Sequence, residues 1–419
     1  MENYGHSDNL LRGRNVEVLS EVDRKLTTAL VLGVLRWQID LDRRIRPLLK
    51  HPNAKLDTEV LIALRIGAFQ LLHMDRIPAS AAIDESVELT KQAGHRFASG
   101  MVNAVLRKLA SAERGIEADP GLAYPAWMIE RWDRMFGEGA TSTICKFGQE
   151  QPATSVRMSS DAVESELAGE GIRLAPGALL AAARRVESGD ITKTAAFREG
   201  RVRIQDEGSQ LIAELTPRGS TILDCCAAPG GKTLILAERN PEANIIACDG
   251  SHQRLAKLRT RLRPLGDRVE YRLADVTHLN DEDAFDVVLT DVPCSGTGTL
   301  GRNPEIRHRL KPEHLRRHSE RQQEILKSAL RAVRPGGYVL YSTCSLEPEE
   351  NDEVIEAVLS QTTGARTVPF HARIEELRSQ GILNPFTEKL KSAMTGRGTL
   401  RLMSGEFHTD GFYAALLTK

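Results

Sequence analysis

A chain of 419 residues exceeds what one ordinary hydrophobic core organises, so two or three domains are expected. With 41% hydrophobic and 27% charged residues and a mean hydropathy of -0.30, the composition is that of a globular protein, neither disordered nor fibrous. A formal net charge of -1 excludes a uniformly basic nucleic-acid binder, so any basic surface has to be local.

No apolar run approaches the roughly 20 residues that span a membrane. Met1 to Arg14 is polar and lacks the apolar centre of a signal peptide, so a cytoplasmic protein without a membrane partner is expected. The six cysteines are Cys145, Cys225, Cys226, Cys248, Cys294 and Cys344. In a large chain without a leader they read as free thiols, and no Cys-x-x-Cys pair suggests a zinc site. No metal is expected. Burial and catalysis are the roles left.

In chain order, residues 1–118 read as an all-helical bundle. Leu26, Leu30, Val34 and Trp37 recur at helical spacing, and so do Leu56, Val60, Leu64, Phe69 and Leu72. A third run holds Ile83, Val87 and Leu89, and a fourth Val102, Val105, Leu106 and Leu109. His51-Pro52-Asn53 and Ile77-Pro78 separate them. Ala118-Asp119-Pro120-Gly121 marks a boundary. Residues 119–204 are mixed, with a helical stretch over Pro125–Gln149 and short β-prone segments such as Thr154–Met158. This reads as a small α/β connecting module.

From Gln205 to the end, short β-prone runs alternate with helical ones. The runs are Thr221–Cys225, Asn244–Cys248, Arg268–Leu273, Phe285–Thr290 and Tyr338–Ser342. Lys232–Arg239, His252–Leu265 and Pro312–Val333 are helical. This alternation predicts a doubly wound, Rossmann-like α/β sheet over 205–419.

Such sheets bind ligands beyond the carboxyl ends of their strands. Those ends carry Asp224, Asp249, Asp275 and Asp291, and the fifth leads to Thr343-Cys344-Ser345. The first runs into Cys226-Ala227-Ala228-Pro229-Gly230-Gly231-Lys232-Thr233. Gly231-Lys232-Thr233 is not a phosphate loop, because that pattern needs a glycine where Cys226 stands. A Gly-Gly turn still lets a ligand approach the backbone, and Asp249 stands where a carboxylate commonly holds ribose hydroxyls. An adenosine-containing cofactor follows. A lone cysteine at a strand end is ordinarily packing. Two at adjacent ends, Cys294 beside Pro293 and Cys344 between Thr343 and Ser345, point to chemistry instead.

A basic segment follows the Asp291 turn: Arg302, Arg307, Arg309, Lys311, Arg316, Arg317 and Arg321, with His308, His314 and His318. Alone it reads as a solvated face. Beside a cofactor rim it is a candidate for phosphate contacts. Arg254, Lys257, Arg259, Arg261 and Arg263 read as a surface helix.

Cys226–Thr233, Asp291–Gly298 and Ser342–Ser345 resemble, in order and spacing, the motifs of the RsmB/Sun branch of the Nop/Sun RNA cytosine-C5 methyltransferases. Gln205–Gln210, Pro348–Asn351 and Asp410–Tyr413 extend the resemblance. Leu64–Leu72, Ile77–Ala82 and Val102–Lys108 resemble a NusB-type RNA-binding domain, so essentially the whole chain is covered. The resemblance implies an enzyme using S-adenosyl-L-methionine (SAM). Cys226, Ala227, Ala228, Pro229, Gly230, Gly231 and Lys232 would line the cofactor pocket. Asp249 would hold the ribose and Asp275 the adenine edge. Asp291 would stand near the methionine part and the target base. Cys344 would be the nucleophile, with Cys294 assisting product release. The implied partner is 16S ribosomal RNA, free or in a partly assembled small subunit. Cys225 departs from the aliphatic residue usual in the family and is expected to be buried filling, like Cys248.

The chemistry explains the need for a thiol. Carbon 5 of cytosine is a poor nucleophile, and a thiolate adding at carbon 6 makes it carbanion-like. An unperturbed thiol titrates at about 8.5, so it needs activation or a base. A tRNA cytosine-C5 methyltransferase shares every catalytic motif and differs only through the N-terminal domain. A non-catalytic NusB-like RNA-binding factor requires decayed motifs, and the strand-end set here is intact. DNA methylation is disfavoured, since it places its nucleophile in the Pro-Cys turn and needs no Cys344.

Overall fold

The computed structural model describes residues 7–11, 13–112, 119–385 and 387–419. The expected boundary at Ala118 lies outside the described residues, as does Met1–His6 of the polar N-terminus. The chain forms two compact units, Met1–Gln151 with Leu300–Arg309, and Pro152–Thr299 with Leu310–Lys419. The stretch read as a connecting module therefore divides. Its helices Ala126–Phe136 and Glu138–Gln149 go with the first unit and its strands with the second.

In the first unit the four periodic runs form helices Glu21–Ile45, Thr58–His73, Ala79–Gln92 and Ser99–Ala112. Ser20 caps the first, its hydroxyl accepting from the Asp23 N–H at 3.2 Å. Leu41, Ile45, Val60, Leu64, Ile83, Val102, Leu106 and Leu109 share one buried core. The helices approach closely at Gly33, where a Cβ would stand 2.0 Å from the Phe69 ring.

Leu300–Arg309 completes this unit. Arg307 is 1% exposed and donates to the carbonyls of Arg36 at 3.0 Å and Gly148 at 3.1 Å, with Ala123 and Leu300 each at 3.4 Å. Its guanidinium lies 4.1 Å from the centre of the Tyr124 ring. Arg36 donates in turn to the Gly301 carbonyl at 2.7 Å. His308 Nε2 meets the Leu35 carbonyl at 2.7 Å, and burial lowers its pKa, so it donates as neutral imidazole. This corrects the sequence expectation for Arg307 and His308: both face inward onto backbone carbonyls, and Arg307 is buried out of reach of phosphate. Arg316 does face solvent, paired with Glu320 at 3.0 Å.

The second unit holds two sheets. Strands β1 (Ser155–Met158), β2 (Arg173–Pro176), β3 (Ala183–Ser188) and β4 (Val202–Ile204) form an antiparallel sheet in the order β2-β3-β1-β4. The main sheet comprises β5 (Thr221–Asp224), β6 (Asn244–Asp249), β7 (Val269–Leu273), β8 (Phe285–Asp291), β9 (Val333–Thr343), β10 (Arg366–Val368), β11 (Leu400–Leu402) and β12 (Phe412–Thr418). Its order is β10-β12-β9-β8-β5-β6-β7, with β11 on β12. β5 to β9 are parallel, as expected. β10, β11 and β12 add an antiparallel extension that the alternation did not announce.

Both faces of this sheet are covered. Ile222, Ile245, Val287 and Leu340 point to one core and Leu223, Cys248, Val288 and Tyr341 to another. Helices Gly231–Arg239 and His252–Leu262 supply Leu234, Leu236, Leu255 and Leu258 to the first. Helix Pro312–Ala332 supplies Ile325, Leu326 and Ala329 to the second. Cys225 and Cys248 are buried there, 1% and 0% exposed, as filling. Among the described residues no helix is long and apolar enough to cross a membrane.

Candidate active site

The parallel strands end on one rim, and the rim carries two cavities. The larger, about 380 Å³, is lined by Cys226, Asp249, Gly250, Arg254, Asp275 and Arg321, among others. The smaller, about 190 Å³, is lined by Gln205, Ser209, Asp224, Ala227, Lys232 and Asp291, together with Cys226, Ala228, Pro229 and Gly231. Cys226 is common to both. The larger alone lies within the roughly 300–1,000 Å³ typical of small-molecule sites.

The local sequence accounts for this rim. Strand β5 stops at Asp224, and the chain turns into helix Gly231–Arg239 through Gly230, whose φ of +97° suits glycine. A Cβ on Gly230 would stand 2.7 Å from Leu258, so that residue serves the turn and lines neither cavity. Asp224 is 1% exposed and accepts from the Thr233 hydroxyl at 2.7 Å. Burial raises its pKa to about 7, against the opposing Thr233 hydrogen bond. Burial, with Asp224, Asp291 and Asp249 around it, also pushes the Cys226 thiol well up. Cys226 is therefore a neutral wall.

Asp249, 3% exposed, accepts from the Ser251 N–H at 2.9 Å and pairs with Arg254 at 3.3 Å. Arg254 also donates to the Ala228 carbonyl at 2.8 Å. It thus ties the turn after β5 to the end of β6, which its run of surface arginines did not reveal. Asp275 caps a short turn through Thr277, and these hydrogen bonds lower its pKa. Asp291 is held from two sides. Lys232 Nζ reaches Oδ2 at 2.7 Å and the Ser342 hydroxyl reaches Oδ1 at 2.8 Å. Lys232 also donates to Ser209 at 2.9 Å.

Sequence reasoning missed Gln205 as a contributor. It follows β4 of the small sheet and is 9% exposed, and its buried Oε1 has no hydrogen-bond partner on the wall of the smaller cavity. An orphaned acceptor among several carboxylates suits a cationic ligand with N–H donors. The α-ammonium of SAM meets that description, its sulfonium adds a second positive charge, and Asp249 offers the carboxylate that ribose hydroxyls require. The residues present fit this cofactor.

Asp291 ends β8, and the following turn carries Cys294; β9 ends at Thr343, followed by Cys344. The two sulfur atoms are 3.3 Å apart. Neither thiol lines the cavities, but Pro293 lines the larger and Asp291 the smaller. The hydrogen bond to Cys344, then burial, raises the Cys294 pKa well above the usual thiol range. Cys294 therefore keeps its proton. The loop beyond is seated on Cys344, with the Gly298 N–H donating to the Cys344 carbonyl at 2.9 Å.

Comparison with known proteins adds identity to this geometry. The family model described as 16S rRNA methyltransferase RsmB/F matches residues 213–418, and the NusB family model matches residues 4–111. The chain is 32% identical to the probable ribosomal RNA small subunit methyltransferase B of Bacillus subtilis, covering 100% of this chain and 96% of that protein. It is 33% identical to the ribosomal RNA small subunit methyltransferase B of Pseudomonas putida, covering 96% and 92%. Among solved structures, PH0851 is 25% identical with a TM-score of 0.78, covering 97% of this chain and 92% of that one. A methyltransferase homolog from Pyrococcus horikoshii is 27% identical with a TM-score of 0.57, covering 71% and 95%. The chain belongs to the RsmB/F family of SAM-dependent 16S rRNA methyltransferases, with a NusB-family helical domain at its N-terminus.

Proposed function

We propose that this protein is a cytoplasmic enzyme that methylates carbon 5 of a cytosine in 16S rRNA through a covalent bond between Cys344 and carbon 6. The observation that carries the reading is the 3.3 Å approach of two thiols from adjacent parallel strands, beside cavities that suit SAM. A methyltransferase acting on a nitrogen or a hydroxyl has no need of a second thiol at its nucleophile. The substrate is RNA of the free or partly assembled small subunit, engaged with the help of the NusB-type bundle of residues 1–118.

Cys226, Ala227, Ala228, Pro229, Gly231, Lys232, Asp249 and Asp275 hold the cofactor, with Gly230 shaping the turn. The bound cofactor supplies an electrophilic methyl group. Cys344 attacks carbon 6 as a thiolate, stabilised by the S–H of Cys294. Asp291, fixed by Lys232 and Ser342, orients the base from the cofactor side. After methyl transfer a water molecule takes the carbon-5 proton, and the electrons of that C–H bond restore the carbon 5–carbon 6 double bond. The bond between Cys344 and carbon 6 breaks with its electron pair returning to the Cys344 sulfur, and the Cys294 S–H assists release by donating to that departing thiolate. The target base has to leave its stack, which costs a few kcal/mol and less in an unpaired loop.

The test is bisulfite sequencing of 16S rRNA from cells with and without the gene. One unconverted cytosine should become convertible in the deletion strain. An unchanged 16S pattern, with a methylcytosine lost from tRNA instead, overturns the ribosomal assignment.

A further inference from the structure

Glu350 is fully buried, at 0% exposure, and has no role in the chemistry described so far. A buried carboxylate is costly unless hydrogen bonds replace its water. Here four do. Oε1 accepts from the Ser295 N–H at 2.8 Å and from Gln322 Nε2 at 3.0 Å. Oε2 accepts from the Ser345 hydroxyl at 2.5 Å and from the Ser295 hydroxyl. The donors come from the residue after Cys294, the residue after Cys344, and helix Pro312–Ala332. Gln322 also donates to the Pro293 carbonyl at 3.0 Å, on the other side of Cys294.

The backbone around Glu350 is bound to the same strand end. The Tyr341 hydroxyl donates to the Glu350 carbonyl at 2.6 Å. Asn351 accepts from the Thr343 hydroxyl at 2.6 Å and donates to the Ser345 carbonyl at 2.9 Å. One carboxylate is thus the common acceptor of two turns 50 residues apart, each carrying one of the two thiols.

We infer that Glu350 is the positioning residue that holds the Cys294 and Cys344 turns in register, so that the Cys344 sulfur meets carbon 6 of the base with the Cys294 S–H beside it. This rests on the cytosine-C5 reading. Glu350 touches neither substrate nor cofactor, and it acts through Ser295 and Ser345. Its loss should slow the covalent step far more than it weakens SAM binding, because Glu350 itself lines neither cavity and only Pro293 of the larger one belongs to a turn it holds. A displacement of about 1 Å between reacting atoms costs on the order of 10²-fold in rate.

The experiment compares the full-length wild type, Glu350→Gln and Ser345→Ala. SAM affinity is read by calorimetry, kcat and KM by methyl transfer to 16S rRNA, and adduct formation with RNA carrying 5-fluorocytosine. Glutamine keeps the volume and the serine hydroxyls can turn to match it. Ser345→Ala carries the same readouts should Glu350→Gln not fold. The expected result is a kcat about 10²-fold lower for Glu350→Gln and about tenfold lower for Ser345→Ala. Adduct formation should slow in proportion, with KM and SAM affinity within about threefold of wild type. Wild-type kcat in a folded variant overturns the assignment, and so does a parallel loss of SAM affinity. A wild type that forms no adduct overturns the cytosine-C5 reading instead, and the methyl-transfer rates then read Glu350 by themselves.

Discussion

The sulfur atoms of Cys294 and Cys344 stand 3.3 Å apart although 50 residues separate them in the chain. The pair is asymmetric: the Cys294 pKa is raised by the hydrogen bond to Cys344 and by burial. Cys344→Ala should therefore abolish methylation, by about 10³-fold or more, and leave no covalent RNA complex. Cys294→Ala should slow turnover by about 10²–10⁴-fold, with the complex forming and persisting. Denaturing gels with labelled RNA separate the two outcomes. Persistence in the Cys344 variant would exchange the roles.

Gly298 tests how tightly the turn after Cys294 must sit. A Cβ there would approach the Gly411 carbonyl oxygen to 2.4 Å and that of Cys344 to 2.8 Å. Both contacts are backbone, so Gly298→Ala has to move the strand end. We expect kcat to fall about 10²-fold with SAM affinity retained. Calorimetry beside a rate assay checks this.

Asp224 makes the second unit sensitive to pH. Its folded pKa is about 7 against an ordinary 3.8, mainly through burial. Between those values the folded state holds a proton that the unfolded state has lost. Stability from this group is complete below the ordinary value, falls as pH rises toward 7, and then levels off, at up to about 1.4 kcal/mol per unit. Asp224→Asn should remove this component, so its advantage in melting temperature over wild type should grow from pH 5 to pH 7.5. An advantage that shrinks with rising pH would contradict the burial of an ionisable carboxyl.

Arg307 offers a test in the first unit. Arg307→Ala leaves the buried carbonyls of Arg36 and Gly148 without this donor, at about 1–3 kcal/mol for each group stranded. Chemical denaturation should show the loss. The salt dependence of RNA binding should not change, because a guanidinium spent on carbonyls releases no phosphate counterions.

Much of the site was legible because strand ends are marked by residue type. Asp224, Asp249, Asp275, Asp291 and the two cysteines break apolar runs whose period of two fixes their direction, and adjacency follows from the parallel order. What was not legible depended on partners distant in sequence. Arg254 belongs to a basic run that looks solvated, and only the fold brings Asp249 and the Ala228 carbonyl to it. Arg307 and Arg316 belong to the same basic stretch of sequence, yet one is buried and the other exposed. Gln205 is a polar residue at the edge of a small sheet, and nothing in its neighbours says that its oxygen faces a cavity. The antiparallel strands β10 to β12 are short or follow irregular segments, so no alternation announced them.

The chain enters the first unit twice, once from its beginning and again at Leu300–Arg309, immediately after the loop that carries Cys294. The helical domain is therefore not a cassette. A cut after Gln151 removes the guanidinium of Arg307 from its interior, and a replacement bundle spliced in at that cut inherits a return segment written for another host. Exchange of this domain between related enzymes has to carry two separated stretches together, one of them lodged inside the catalytic sequence. Substitutions in either stretch are then selected jointly, and recombination at a single junction is penalised.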